Sequence, residues 1–360
     1  MWTMSKKPKV SILTITYNHD KFIREALDSL LAQKTDFDFE VIVADDCSTD
    51  RTQDIIREYS RAYPGIFKPI LRQKNIGAVA NSIDTLQAAT GEYIALCEGD
   101  DYWTDPDKLQ KQANFLDKHS EYALCFHPVK VVFEDDSKKK FIYPEVNKNS
   151  NFTLDGLLRS NYIQTNSVMY RKQKYDKIPS NILPLDWFLH LYNAQFGKIG
   201  FINQIMSAYR RHPGGLWWDS DKDIDKIWRA YGIPHLNLYL EILKLYGKNP
   251  EHKQIIYGHI EEMLNNFIGT DKKDDGELLV KALSKFPSVA PPVIVSQHDK
   301  LQAREAKLQK QEQHILDLSE SLRQKDLQLD QKKELIRQMK ASRFWKLRNL
   351  VARLIGKTVI

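Results

Sequence analysis

The chain has 360 residues, 42% hydrophobic and 28% charged, enough for one large domain with appendages and a substantial core. Its formal charge of +6 collects at the end, where Lys340, Arg343, Lys346, Arg348, Arg353 and Lys357 have no acidic residue among them. The rest is balanced, which excludes a nucleic-acid-binding core.

The first segment, Met1 to Pro8, lacks an apolar stretch of signal-peptide length, and no segment approaches ~18 uninterrupted apolar residues. Cys47, Cys97 and Cys125 have no metal-ligand spacing, so reduced thiols in a cytoplasmic protein are expected. The elements then follow in order. An apolar strand at Val10–Thr16 precedes a helix around Phe22 to Leu31. Further strands fall at Phe39–Ala44, near Phe67 to Leu71 and at Tyr93–Leu96, with helices around Asp54 to Ala62 and Val79 to Ala89 between them. This alternation predicts a mostly parallel sheet with right-handed crossover helices. A helix from Asp105 to His119 and strands at Ala123–Phe126, Val129–Phe133 and Lys140–Tyr143 come next, with Asp135-Asp136-Ser137-Lys138 as a hairpin turn. A hairpin makes the sheet mixed rather than purely parallel. Residues 152–212 read as helix, strand and helix, a second half-site built onto the first.

From Ile224 to Phe286 the chain reads as helical, until Pro291-Pro292 breaks it. Leu301, Leu308, Ile315, Leu322, Leu329 and Ile336 then recur every seven residues, while the second seam position is largely polar. That predicts a long helix over 297–340, either a solvated spacer or a coiled coil that makes a homo-oligomer. Over 341–360, Phe344, Leu347, Val351, Leu354 and Ile355 share one helical face flanked by cations. Such a helix docks on an inner membrane surface or in a partner's groove.

Two strands deliver acids to the same sheet edge: Ala44-Asp45-Asp46-Cys47-Ser48-Thr49-Asp50 and Cys97-Glu98-Gly99-Asp100-Asp101. The carboxyl edge of an open α/β sheet is where ligands bind. Adjacent carboxylates repel unless donors or a cation offset them, and Mg²⁺ with substrate phosphates does so. The same edge receives Thr16-Tyr17-Asn18-His19, whose ring could stack on a base. Asn75-Ile76-Gly77 supplies a tight turn and helix start beside Arg72 and Lys74, suited to anions.

These four motifs, in this order over roughly Pro8 to His212, resemble the inverting family-2 glycosyltransferases of GT-A fold, which use nucleotide-diphosphate sugars. The resemblance implies an α/β nucleotide-sugar-binding domain over 1–220 (nucleotide half 8–104, acceptor half 105–220), then a helical extension over 221–290. It implies that Tyr17 packs on the base beside Thr16 and Asn75, that Asp46 binds the base edge and that Asp100 contacts ribose or metal. Asp101 would be the principal ligand of Mg²⁺ or Mn²⁺, and Glu98 stands where the family usually has Asp. Asp186, in Leu183-Pro184-Leu185-Asp186-Trp187, resembles the general base. In Tyr209-Arg210-Arg211-His212, His212 resembles a third metal contact and Arg210 a diphosphate contact. A UDP-sugar donor, transfer to a glycan or lipid-linked glycan in bacterial-type surface polysaccharide assembly, and hexosyl or N-acetylhexosaminyl transfer are the implied chemistry. A nucleotidyltransferase would need a Gly-rich phosphate loop where this chain has Tyr17-Asn18-His19-Asp20, and a silent membrane-recruited scaffold would not need acids at every motif.

Overall fold

A computed structural model describes residues 7–135, 138–146, 151–215, 218, 224–268, 284 and 290–354. The chain divides into two compact units, 1–289 and 290–360.

In the first unit the expected alternation is present: β1 (Val10–Thr16), α1 (Ile23–Leu31), β2 (Phe39–Asp45), α2 (Thr52–Ala62), β3 (Phe67–Leu71), α3 (Ala78–Ala88) and β4 (Tyr93–Leu96). β1 and β2 read as nearly unbroken apolar runs because a parallel sheet covered by helices buries both faces. α1 answers with Ile23, Ala26, Leu27 and Leu30, the i, i+3, i+4, i+7 spacing of one buried stripe. A two-residue strand, β5 (Tyr102–Trp103), follows, then α4 (Lys108–Lys118), β6 (Tyr122–Phe126), β7 (Val129–Phe133) and β8 (Phe141–Tyr143). α5 (Leu154–Arg159), a 3₁₀ turn at Thr165–Ser167, β9 (Met169–Arg171), α6 (Leu185–Ala194), β10 (Lys198–Phe201) and β11 (Ser207–Arg211) complete the α/β part, and α7 (Ile224–Tyr246) and α8 (Pro250–Ile268) extend it.

The central sheet runs β10-β6-β9-β4-β1-β2-β3, parallel except for β9, which is antiparallel to both neighbours. A smaller sheet, β5-β11-β7-β8, contains the expected β7–β8 antiparallel pair; the tip of its turn, Asp136 and Ser137, lies outside the described residues. The main core, including Ile12, Val41, Tyr93, Leu109 and Met169, packs against the central sheet. One cation lies in the buried interior: Lys108 has no exposed surface, its Nζ stands 3.9 Å from the Trp103 ring centroid, and it donates to Gln112 at 2.7 Å. Burial pulls its ammonium down to about 7.

At the amino edge of the sheet, Glu40 is fully buried and completely engaged. It accepts from Ser11 Oγ at 2.5 Å, from the Thr90 amide at 2.9 Å and hydroxyl at 2.7 Å, and pairs with Lys68. Burial alone would raise this carboxyl, but the Lys68 ammonium and the three donors outweigh it and hold it below its usual value.

The second unit holds α9 (Ala290–Ala341) and α10 (Arg343–Leu354). Pro291-Pro292 sits in the first turn of α9, where a proline removes no intrahelical hydrogen bond. Leu308, Ile315, Leu322, Leu329 and Ile336 are all exposed along α9, as are Leu347, Val351 and Leu354 on α10. Ile355 and the side chains of Leu301 and Phe344 lie outside the described residues. No helix among the described residues is long and apolar enough to cross a membrane.

Candidate active site

The carboxyl ends of β1, β2 and β4 and the end of β11 meet around a cleft of 330 Å³, lined among others by Thr16, Tyr17, His19, Asp46, Asn75, Asp100, Arg210 and His212. Tyr17 is 45% exposed at its rim, whereas Thr16 is buried at its floor. Two glycines make the cleft possible. A Cβ on Gly99 would stand 2.7 Å from Thr16, so the acidic turn could not close onto β1. Gly77 has φ +86° ahead of α3, a conformation costly for any residue with a side chain.

Asp46 is buried and accepts from the amides of Ile76 and Gly77, both at 2.8 Å, while Asn75 Nδ2 donates to the Asp46 carbonyl at 3.0 Å. The second and third motifs thus form one closed wall. Asp45, beside it, holds its own loop by accepting from the Ser48 amide at 2.9 Å and from Gln53 at 2.6 Å.

The adjacent acids Asp100 and Asp101 part company. Asp101 is 1% exposed and turned inward, accepting from the Arg210 amide at 2.8 Å and from Asn166 Nδ2 at 2.9 Å. Burial, then the neighbouring charges of Asp100 and Glu98, push its carboxyl well above the usual range. Asp100 faces the cleft, with Oδ2 at 3.1 Å from His212 Nε2 and 3.8 Å from His19 Nε2. Burial would raise Asp100, but the His212 hydrogen bond and the two imidazoles hold it down. Ligand atoms of His19, Asp100 and His212 lie within 4.8 Å of one another. His19 Nδ1 is buried without a hydrogen-bond partner, and burial lowers the pKa of this imidazole. An imidazole with an unpartnered buried nitrogen, beside a second imidazole and a carboxylate, fits a divalent cation. Asp101 spends one oxygen on the Arg210 amide and the other on the Asn166 side chain, so of the two adjacent acids it is Asp100 that stands with His19 and His212.

Arg210 reaches the cleft, but its charge is already matched. Its guanidinium lies 4.9 Å from the Phe22 ring centroid and 5.1 Å from that of Tyr102. It pairs with Glu25 and with Glu134 at 2.8 Å, and its Nε donates to the Asp100 carbonyl at 2.9 Å. Through that bond Arg210, the expected diphosphate contact, ties the acidic turn to β11.

Asp186 occupies the first turn of α6, where the helix dipole favours a negative charge. Its Oδ2 accepts from Asn161 Nδ2 and Thr165 Oγ1, both at 3.2 Å. A second pocket, which includes Ile15, Ala78, Glu98 and Tyr209 of the cleft wall, brings Asp186 and Glu98 together. Burial, with the charges of Asp100 and Asp186, pushes the Glu98 carboxyl up to about 8. Trp218 also lines the cleft. His19 is the residue that sequence reasoning passed over as a ligand; its signal was an imidazole two positions after Tyr17 at the same sheet edge. Asn166, which buttresses Asp101, carries no local signal.

A mixed, largely parallel sheet with base-sized, acidic and imidazole groups at its carboxyl edge defines a GT-A nucleotide-sugar glycosyltransferase. The chain belongs to glycosyl transferase family 2, whose model matches residues 11–213. It is 46% identical over 280 residues to the uncharacterized protein Rv1520 of Mycobacterium tuberculosis, spanning 77% of this chain and 80% of that one. It is 31% identical over 231 residues to the putative teichuronic acid biosynthesis glycosyltransferase TuaG of Bacillus subtilis, 62% of this chain and 88% of that one. Among solved structures, S. aureus TarS 1-349 in complex with UDP-GlcNAc shares the fold at TM-score 0.56 and 21% identity, over 78% of this chain and 81% of that one. The mannosyltransferase PcManGT from Pyrobaculum calidifontis, solved with GDP-Man and Mn2+, matches at TM-score 0.50 and 15% identity, over 81% and 84% of the two chains.

Proposed function

We propose that this glycosyltransferase moves a hexosyl or N-acetylhexosaminyl group from a UDP-sugar to a hydroxyl acceptor with inversion, assisted by a divalent cation. The observation that carries the reading is continuity. The cleft of Tyr17, Asp46, Asn75, Asp100 and His212 opens into the pocket where Asp186 stands. The base packs on Tyr17 against the Asp46–Asn75 wall. Asp186, held by Asn161 and Thr165, takes the acceptor's proton as its oxygen bonds to the anomeric carbon, and the bond to the diphosphate breaks on the opposite face. His19, Asp100 and His212 would hold the cation, which when bound neutralises charge on the departing diphosphate. Two imidazoles and one carboxylate favour Mn²⁺ over Mg²⁺, which prefers an all-oxygen shell.

The name of TuaG supports a glycan or lipid-linked glycan acceptor in cell-surface polysaccharide assembly. The exposed seven-residue stripe of α9 suits self-association, and the apolar face and cations of α10 suit the inner surface of a membrane. The test is a thermal-shift screen of UDP, UDP-sugars and GDP-sugars with and without Mn²⁺. Binding to the folded state alone raises its stability by roughly 2.7 kcal/mol at a hundredfold excess over Kd. A shift that requires both a UDP compound and Mn²⁺ is expected; no shift with any nucleotide would overturn the reading.

A further inference from the structure

The pocket beside Asp186 is unlike the cleft that opens into it. It has a volume of 160 Å³ and descends from the carboxyl edge between the sheet and α3 and α6. Its mouth is polar, with Glu98, Gln164, Thr165 and Asp186. Its depth is apolar. Leu13 and Leu96 are paired across β1 and β4, two residues upstream of Ile15 and Glu98, about 7 Å further down the strands. Leu86 faces them from the second half of α3, and Leu189 from one turn beyond Asp186 on α6.

The two hydroxyls on that wall are already committed: Ser82 donates to the Ala78 carbonyl at 2.7 Å and Thr85 to the Asn81 carbonyl at 2.6 Å. Neither gives its proton to a ligand. Among the described residues no Lys, Arg or His lines the pocket, while Glu98 and Asp186 both do.

A transferred sugar hangs by one bond from the diphosphate, so it must occupy space continuous with the cleft. Tyr209, Ala78 and Glu98 belong to both walls, which makes this pocket that space. We infer, resting on the nucleotide-sugar reading above, that the donor sugar is uncharged and carries a methyl-bearing substituent, a 6-deoxy or an N-acetyl group, seated among Leu13, Leu86, Leu96 and Leu189. Hydroxyls near the anomeric carbon meet the polar mouth. A hydroxymethyl group placed at depth would lose water and find no donor there. A uronic acid would bring a carboxylate to a pocket that offers two carboxyl groups and no cation.

The test is calorimetry on the full chain with Mn²⁺, comparing UDP, UDP-glucose, UDP-6-deoxyglucose, UDP-N-acetylglucosamine and UDP-glucuronate. One of the two methyl-bearing donors is expected to bind about tenfold tighter than UDP-glucose, with UDP-glucuronate no tighter than UDP. UDP-glucose binding as tightly as both, or UDP-glucuronate binding best, overturns the inference. Leu86→Asn brings a polar group to the depth and is expected to erase most of the preference while leaving UDP affinity intact; Leu189→Ala serves as the second variant should the first not fold. A preference unchanged in a folded variant overturns the placement. Failure of UDP itself to bind would overturn the nucleotide-sugar reading, whereas UDP binding without discrimination between sugars overturns this inference alone.

Discussion

The two edges of the central sheet each bury carboxylates, and they treat them in opposite ways. At the amino edge Glu40 is matched, with Lys68, Ser11 and Thr90 supplying charge and donors until its oxygens are satisfied. At the carboxyl edge Glu98, Asp100 and Asp101 crowd within four positions of sequence, and burial, with the charges of Asp100 and Asp186, drives Glu98 up to about 8. Glu40 is an acid whose environment was built to ionise it. The other edge holds acids whose environment is completed only by something that binds. Strained titrations of the second kind mark functional sites more often than those of the first.

The sharpest way to break this contrast is Asp186→Asn. It is expected to lower transfer by about 10³-fold, within the range of positioned acid–base catalysis, while nucleotide affinity and melting temperature hold. Near-normal turnover in a coupled assay of UDP release would remove Asp186 from the mechanism. Asp100→Ala comes next, with an expected loss of about 100-fold in Mn²⁺-dependent UDP affinity by calorimetry, in the manner of a lost ligand. Without metal the same variant should melt no lower than the parent, because it removes one of three crowded acids; unchanged affinity would send the metal site elsewhere.

Glu40→Ala tests the opposite edge. It strips Lys68, Ser11 and Thr90 of their partner and is expected to cost about 1–3 kcal/mol in urea unfolding, the desolvation penalty of the groups left behind. Its UDP affinity should not change. A fall in affinity comparable to that of Asp100→Ala would erase the distinction between the edges.

The smallest expected effect concerns Lys108, whose folded pKa of about 7 lies below its usual 10.5. Between those values the unfolded chain holds the proton and the folded chain releases it, so stability rises as pH rises through that window. From pH 7 to 9 the parent should gain on the order of 1–2 kcal/mol relative to Lys108→Met, whose pH profile lacks this component. Parallel profiles for the two proteins would show that Lys108 titrates normally.

The nucleotide half was legible because its signals are local. Continuous apolar runs marked β1, β2 and β4, and acids after β2 and β4 could only emerge at one edge of a parallel sheet. β5, two residues long, and β9, antiparallel in the middle of the sheet, had no such signal, since their pairing depends on distant chain. The Pro291-Pro292 pair, read as the end of the preceding helical stretch, also lies in the first turn of α9, because proline is excluded from a helix interior but not from its first turn.

By itself the sequence determined the class of enzyme, the parallel character of its first strands and the acids that end β2 and β4. Those follow from periodicity and motif order, which survive in one dimension. Tertiary structure alone decided where each acid stands and what it pairs with. Asp100 and Asp101 are neighbours in sequence, yet the Arg210 amide and Asn166 turn one of them inward and His19 and His212 claim the other. It likewise spent Arg210 on Glu25 and Glu134, partners 185 and 76 residues away. A side chain's role is set by what competes for its atoms, and those competitors are brought together only by the closed fold.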